Sequence, residues 1–358
     1  MEETSQWGRF KAIRKIGEGT FSSVFLVEDK KTCRELALKR ITQTTAPSRI
    51  ANELRYLLEL KGERNIIELV AVVRDKNDVL MAFPYIVSTD FKEILSKRSL
   101  ADIKSYMREL LQGLVPVHAL GIIHRDIKPG NFLYNMETKQ GCLIDFGLSQ
   151  RVSLDMSSSS SSRVGSSRVG GSGVSSGGVG GVAKKQRFFF TAYPSLRGGD
   201  KSSVTRPPGY LLRDGRPGMD AARSGTRGFR APEVLFRVEN QTTAIDVWSA
   251  GVILLVLLAK KYPFFCEKDD VSALVELAGI FGGQEMREAA RHYQRVWKSN
   301  IEECIGTKIP FRTVVKLCTG GNEMYPDSVF DLLDKMLALK DVERITAEEA
   351  LRHRFFLD

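Results

Sequence analysis

The 358-residue chain has no hydrophobic run long enough to cross a membrane. A membrane-spanning helix needs about 20 apolar residues in succession, and the longest apolar run, at 252–259, falls well short of that length. The first four residues, MEET, also lack the apolar stretch of a secretory signal peptide. We therefore expect a protein that stays inside the cell and has no membrane partner.

Cysteine is scarce, and its spacing excludes two kinds of small domain. The five cysteines stand at positions 33, 142, 266, 304 and 318, and no two of them form a C-x-x-C pair. Zinc modules and disulfide frameworks need cysteines that are closely or regularly paired. The sequence therefore predicts reduced thiols and no zinc site.

Acidic residues are scarce in one stretch, residues 151–224. It holds 12 Lys and Arg against 4 Asp and Glu, so +8 of the chain's formal net charge of +10 lies there. It contains six successive serines at 157–162 and repeated Arg-Val-Gly and Gly-Val units. Because such a composition buries too little apolar surface to offset the entropy of ordering, we predict a mostly disordered insert. A solvated spacer is the favoured interpretation, and attraction of DNA, chromatin or an acidic partner protein by its positive charge is the alternative.

Two motifs in the middle of the chain carry most of the chemical information. Residues 124–131 read HRDIKPGN, and residues 145–147 read DFG. This combination is typical of the catalytic and metal loops of a protein kinase. Asp126 is predicted to accept the hydrogen bond of a substrate hydroxyl, while Lys128 neutralises charge on the transferred phosphoryl group. The side chains predicted to hold Mg²⁺ are those of Asn131 and Asp145.

A nucleotide cradle is predicted upstream of these loops. The sequence IGEGTFSSV is typical of two strands joined by a glycine hairpin whose backbone approaches phosphate groups. Ser22 stands where such a hairpin often has its third glycine. The residues assigned to this part of the ATP site are Ile16, Gly17, Glu18, Gly19, Thr20, Phe21, Ser22, Ser23 and Val24.

Lys39 and Glu53 are predicted to complete the phosphate site. Lys39 lies in an alternating segment that matches the kinase strand whose lysine reaches the α and β phosphates of ATP. A helix is predicted over 47–58, begun by Pro47 and carrying an apolar stripe with Glu53 on its margin. A glutamate at that margin faces the sheet, so the sequence predicts an ion pair between Lys39 and Glu53.

The apolar segment 79–86 predicts a strand that ends at a proline and leads into a connector between two lobes. In a kinase, Phe83 would close the space behind adenine, and residues 84–88 would form the hinge. The hinge backbone at Pro84, Tyr85 and Ile86 would bind adenine. The apolar walls predicted for the adenine slot are Ala37, Val24 and Leu133.

Longer segments extend this pattern along the chain. They include GFRAPEVL at 228–235, NQTTAIDVWSAGVI at 240–253 and RITAEEAL at 344–351, besides the segments at 17–24 and 131–135. Together they resemble the cell-division-cycle seven kinases over roughly residues 10–356. The resemblance implies a bilobal α+β kinase fold. Residues 1–83 would form a small lobe of five antiparallel strands with one helix, and residues 89–358 a larger, mainly helical lobe that the 151–224 insert interrupts.

The resemblance also implies a biological role. Members of this family are ATP- and Mg²⁺-dependent serine/threonine kinases that act in the nucleus on subunits of the replicative helicase and trigger DNA replication. A Dbf-four-like regulatory subunit activates them by setting the helix that carries Glu53. This chain departs from the family because residues 151–224 lack zinc cysteines and a late insert has shrunk to residues 319–322. How the regulatory subunit binds is therefore left open.

The family's preference for Ser or Thr followed by an acidic or phosphorylated residue predicts cations beside the catalytic loop. Guanidinium groups suit carboxylates and phosphates. Thr226, together with Lys128, indicates serine or threonine targets rather than tyrosine. In the alternative, Arg230 belongs to the pocket of a cyclin-dependent-like, proline-directed kinase. The candidate basic residues are Arg223, Arg227, Arg230 and Lys261.

Two other classes of protein fit the sequence less well. A pseudokinase that only binds partners predicts damage to the catalytic set, whereas all five of its members are intact. A nucleic-acid-binding module in the insert would need basic and aromatic residues interleaved as in a known module, and the insert lacks them. The intact set consists of Lys39, Glu53, Asp126, Asn131 and Asp145.

Overall fold

The computed structural model shows a chain folded into a small β lobe and a larger helical lobe. The described residues are 6–19, 22–42, 45–75, 78–152, 225–266, 269–298, 306–322 and 324–357. All but two residues of the predicted insert lie outside these ranges, so its disorder stays a prediction. In the described part of the chain, helices that combine the length and the apolarity needed to span a membrane are not found.

The small lobe is an antiparallel sheet with one long helix against a face. The strands are β1 (Gln6–Trp7), β2 (Phe10–Glu18), β3 (Ser22–Asp29), β4 (Arg34–Ile41), β5 (Ala71–Asp75) and β6 (Asp78–Pro84), and the helix is α1 (Pro47–Glu59). They lie in the order β1-β2-β3-β4-β6-β5. The predicted five-stranded lobe is thus confirmed, and the two-residue strand β1 adds a sixth strand at its edge.

Both faces of this sheet are covered by apolar side chains. Tyr56 and Leu57 of α1 join Met81 of β6 in the main core. Trp7 and Phe10 cover the opposite face, in a smaller apolar cluster. The register of β4 sets Lys39 between β3 and β6, in the middle of the sheet rather than at a solvated edge.

The large lobe consists mainly of helices around a buried central helix. Its helices are α2 (Phe91–Lys97), α3 (Leu100–Ala119), α4 (Pro232–Leu235), α5 (Ala244–Ala259), α6 (Asp270–Phe281), α7 (Gly283–His292), α8 (Phe311–Thr319), α9 (Asp327–Met336), α10 (Ala347–Leu351) and α11 (Arg354–Leu357). Every residue of α5 from Ile245 to Ala259 is buried. A helix that is apolar on all sides has to lie in the interior, so α5 is the element on which the catalytic loop can be anchored.

Two short strand pairs frame the loops that carry the chemistry. Strands β7 (Ile122–Ile123) and β10 (Gln150–Arg151) pair with each other, as do β8 (Phe132–Asn135) and β9 (Gln140–Leu143). The HRD motif follows β7, a 3₁₀ turn over Pro129–Asn131 precedes β8, and the DFG motif follows β9. Both motifs therefore leave the ends of paired strands at one side of the lobe.

Candidate active site

Lys39 lies between two carboxylates that come from distant parts of the chain. Its Nζ donates to Oε1 of Glu53 at 2.6 Å and to Oδ1 of Asp145 at 2.8 Å. Burial opposes the charge of Lys39, but the two carboxylates outweigh it and raise its pKa above the ordinary value. Burial likewise opposes ionisation of Asp145, and Lys39 outweighs it, so the pKa of Asp145 is lowered. The predicted partners Lys39 and Glu53 are thus brought together, and Asp145 shares the same ammonium group.

Asp126 is fixed by hydrogen bonds on both of its carboxylate oxygens. Oδ1 accepts from the backbone nitrogen of Thr226 at 2.9 Å and from its hydroxyl at 2.7 Å. Oδ2 accepts from Nζ of Lys128 at 2.8 Å and from the amide of Asn131 at 2.9 Å. Burial raises the pKa of Asp126, but the bonds from Lys128 and Thr226 outweigh burial and lower it. The carboxylate is therefore ionised and held in one orientation.

The catalytic loop is attached to α5 through Asp246. Its carboxylate accepts from the backbone nitrogens of His124 at 2.7 Å and Arg125 at 2.8 Å, and it lies 3.0 Å from Nε2 of His118. Arg125 has a φ of 70°, in the left-handed region that non-glycine residues rarely adopt. The two backbone hydrogen bonds hold this conformation, which sets the direction of the next residue, Asp126.

Asn131 and Asp145 offer oxygen ligands suited to a divalent cation. The amide nitrogen of Asn131 donates to the backbone and side-chain oxygens of Asp126, which leaves its carbonyl oxygen as the group for a metal. Both side chains line the same cleft as the glycine hairpin. Since a carboxylate and an amide oxygen are hard ligands, the pair fits an ion that also binds phosphate oxygens.

The cleft between the lobes has a volume of about 530 Å³, within the range of small-molecule sites. Most of the predicted nucleotide residues line it. Thr20 and Phe21 lie outside the described residues. Ser23 does not line the cleft, since its hydroxyl donates to Glu18 across the hairpin at 3.1 Å. The lining residues that were predicted are Ile16, Gly17, Glu18, Gly19, Ser22, Val24, Ala37, Lys39, Glu53, Phe83, Pro84, Tyr85, Ile86, Asn131, Leu133 and Asp145.

Several residues that line the cleft were not predicted from the sequence. Ile67 precedes β5, and its backbone nitrogen bonds the carbonyl of Leu143, which brings it to the cleft from a loop with no signature. Ile144 stands directly before the DFG motif, so its position in the sequence was a usable signal. The other lining residues that were not assigned to the nucleotide site are Arg14, Leu57, Val87, Ser88 and Gly130, of which Val87 and Ser88 stand in the predicted hinge and Gly130 in the HRDIKPGN motif.

Phe83 is buried at the back of the cleft, where it packs into the main core. Replacing it with alanine removes a ring and opens apolar space behind the adenine slot. We expect Phe83→Ala to bind a bulky adenine-site inhibitor about tenfold tighter or more than the wild type does. The measurement is inhibition at fixed ATP. A smaller inhibitor that does not reach this space serves as control, and equal potency of the bulky compound on both proteins would contradict the prediction.

The residues proposed for substrate recognition differ in their surroundings. Arg230 donates to the carbonyl of Gly225 at 3.0 Å and forms an ion pair with Asp270 at 2.8 Å. Arg227 and Lys261 are exposed, and Nζ of Lys261 lies 5.7 Å from the centre of the Phe264 ring. Arg223 lies outside the described residues. Arg230 is thus engaged within the protein, whereas Arg227 and Lys261 present their charges to solvent.

Thr226 couples the substrate side to the catalytic loop. Besides its two bonds to Asp126, its hydroxyl oxygen accepts from Nζ of Lys128 at 2.8 Å. The three side chains form a closed network, so Lys128 and Asp126 cannot turn independently. The carboxylate of Asp126 and the ammonium group of Lys128 therefore lie side by side. In this position they could orient a substrate hydroxyl toward a phosphoryl group.

These contacts define the class of protein, an ATP-dependent protein kinase. A sequence profile described as "Protein kinase domain" matches residues 10–168 and 214–356. The "Probable cell division control protein 7 homolog 2" of Encephalitozoon cuniculi is 45% identical over 98% of this chain and 92% of its own length. Two kinases of Schizosaccharomyces pombe are also similar. "Cell cycle protein kinase spo4" is 37% identical over 97% of this chain and 85% of its own. "Cell cycle serine/threonine-protein kinase hsk1" is 36% identical over 98% and 73%.

The chain therefore belongs to the protein kinase family and, within it, to the cell division control protein 7 kinases, which are serine/threonine kinases of the cell cycle.

Proposed function

We propose that this kinase phosphorylates Ser or Thr residues followed by an acidic or phosphorylated residue, in subunits of a replicative helicase, and so triggers DNA replication in the nucleus. Mg²⁺ is the proposed metal, held with ATP by Asn131 and Asp145. A Dbf-four-like regulatory subunit is the proposed activator, acting on α1. The relatives support this role, because their names assign them to cell division and the cell cycle.

One observation carries the substrate proposal, an exposed cation beside the catalytic aspartate. Arg227 directly follows Thr226, whose hydroxyl donates to Asp126 at 2.7 Å. Its own side chain has no ion-pair or hydrogen-bond partner within the described ranges. An exposed guanidinium on the residue next to Thr226 is suited to a carboxylate or phosphate on the next residue of the substrate.

Lys261 supplies a second exposed charge, on the segment that follows α5. Arg230 contributes less to the net field, because Asp270 neutralises it. Arg227 and Lys261 are therefore the main residues proposed to bind the acidic residue of the substrate, with Arg223 as a further candidate. The basic insert, residues 151–224, is the proposed contact with chromatin.

The test is phosphorylation of two peptides that differ after the target serine, Ser-Asp-Asp-Glu and Ser-Pro-Lys. Each is assayed with ATP and Mg²⁺, with and without the regulatory subunit. Preference for the acidic peptide, stimulated by the subunit, supports the proposal. Preference for the proline peptide would assign the chain to proline-directed kinases. No transfer to either peptide under any condition would favour a partner-binding role.

Reversing the charge of Arg227 gives a sharper prediction. We expect Arg227→Glu to lower the ratio of kcat/KM for the acidic peptide to kcat/KM for an Ala-substituted peptide by about 3–10-fold, because an attraction becomes a repulsion at an exposed site. In the Arg227→Glu variant, a peptide with lysine after the target serine should have a higher kcat/KM than the acidic peptide has. Arg34→Glu, at an exposed arginine of the small lobe, is the matched control. An unchanged ratio would contradict the role of Arg227.

A further inference from the structure

Helix α1 is tied to the metal loop at two separate points. The first is the predicted pair, in which Glu53 and Asp145 share Lys39. The second involves Arg49, four residues before Glu53 and therefore one turn earlier on the same face of the helix. Nε of Arg49 donates to the backbone carbonyl of Gly147 at 2.7 Å, across 98 residues of sequence. No sequence motif marks this contact.

Gly147 itself lies close to the carboxylates of Asp145 and Glu53. A Cβ atom built at Gly147 would lie 3.2 Å from Oδ1 of Asp145 and 3.2 Å from Oε2 of Glu53. It would also lie 3.6 Å from Nη2 of Arg49. The backbone of the metal loop therefore passes close to both carboxylates. A side chain at this position would crowd them, so a carboxylate or the loop would have to shift by a few tenths of an ångström.

The loop itself holds Asp145 in an uncommon conformation. Asp145 has a φ of 65°, in the left-handed region. On one side, Phe146 is buried with its ring 4.9 Å from that of His124. On the other side, the nitrogen of Gly147 lies 3.4 Å from Oδ1 of Asp145. Arg49 fixes the carbonyl of the same peptide segment, so it restrains the outer end of the turn.

We infer that Arg49 is a positioning residue for Asp145, which links the placement of α1 to divalent-cation binding. Lys39 binds the carboxylate of Asp145, which would ligate the metal. Arg49 binds the backbone carbonyl of Gly147, two residues later in the same loop. The inference depends on the kinase activity of the chain and not on its proposed role in replication. Any motion that carries α1 away from the cleft breaks both ties, so helix placement and metal binding change together.

The test compares the Mg²⁺ dependence of Arg49→Met with that of the wild-type full chain. Methionine keeps much of the apolar stem and removes the hydrogen bond. We expect the Mg²⁺ concentration for half-maximal activity to rise about 10–150-fold, the range for loss of a hydrogen bond from a charged donor. The dissociation constant for adenosine, which contacts no metal, should change less than twofold.

Two further variants separate positioning from a general structural role. Arg49→Lys keeps one charged donor, so its Mg²⁺ requirement should lie between those of wild type and Arg49→Met. Arg55→Met, at an exposed arginine of the same helix 3.9 Å from Glu59, should leave the requirement unchanged.

A lower melting temperature with an unchanged Mg²⁺ requirement would overturn the inference. If Arg49→Met does not fold, Arg49→Lys carries the test, and a requirement equal to that of wild type would then overturn it.

Discussion

Replacement of Asp126 by asparagine is expected to lower turnover by about 10²–10⁴-fold, the range for loss of a positioned general base, while ATP still binds. The isosteric amide removes the charge and the capacity to accept a proton. It also places an NH₂ group among donors, since the described partners of the Asp126 carboxylate all donate to it. The substrate hydroxyl would thus lose its hydrogen-bond acceptor, and the hydrogen bonds that orient residue 126 would be disturbed.

The dependence of kcat on pH gives a second test of the role of Asp126. The pKa of Asp126 is lowered, so protonation of this carboxylate cannot cause a loss of wild-type activity above about pH 4, the ordinary range of aspartic acid. A loss between pH 6 and pH 8 would have to come from another group. The measurement is kcat against pH for wild type at saturating ATP.

The control for this variant is Asp334→Asn, at a half-exposed carboxylate paired with Lys308 on the large lobe. Its turnover should stay within about twofold of wild type, because an exposed ion pair contributes little to stability. The melting temperature and the ATP dissociation constant of Asp126→Asn are measured alongside. If that variant fails to fold rather than to turn over, Asp126 has a structural role and the assignment is wrong.

The parts of the site that sequence predicted are those in which chemistry fixes residue type and spacing together. Asp126 and Asn131 stand five residues apart because both serve one loop. Lys39 and Glu53 could be paired from the periodicity of a strand and a helix. The order of lobes followed from the resemblance, and the fold class is confirmed.

Contacts between distant segments without a motif could not be predicted. Arg49 reads as an ordinary helix residue until the fold places the carbonyl of Gly147 beside it. Arg230 read as a free cation, yet the N-terminus of α6 brings Asp270 to it from 40 residues away. In both cases the partner is set by tertiary packing, on which local pattern carries no information. A charge counted from sequence is therefore a poor guide to the charge that a substrate meets.

The second large effect is expected in the interior of the large lobe, where Glu233 and Arg344 form a buried ion pair. Nη1 and Nη2 of Arg344 donate to the two carboxylate oxygens at 2.7 and 3.0 Å, and the side chains are 0% and 2% exposed. The same guanidinium donates to the carbonyls of Ala244 and Ala338 and lies 5.2 Å from the Trp248 ring. It joins α4, α5 and the segment after α9.

Arg344→Met is expected to lower the free energy of unfolding by about 3–5 kcal/mol, because it leaves a buried carboxylate without its counter-charge. Two backbone carbonyls also lose a donor. Glu233→Gln should destabilise the protein similarly, since it leaves the guanidinium uncompensated. Urea unfolding followed by tryptophan fluorescence measures the effect, and Trp248 reports from beside the substituted residue. Arg352→Met, at an exposed arginine of the same lobe, is the control and should change stability by less than about 1 kcal/mol.

Combining the two changes tells whether the pair itself stabilises the fold. A Glu233→Leu, Arg344→Met double variant has no buried charge left, so it should be less destabilised than the sum of its single variants. The expected coupling is positive and exceeds about 1 kcal/mol, because each single variant includes the penalty of an orphaned charge. Additive losses would mean that Arg344 acts through its carbonyl contacts and not through Glu233. In that case its main contribution is to join the segment after α9 to the central helix, and the catalytic loop depends on it only through α5.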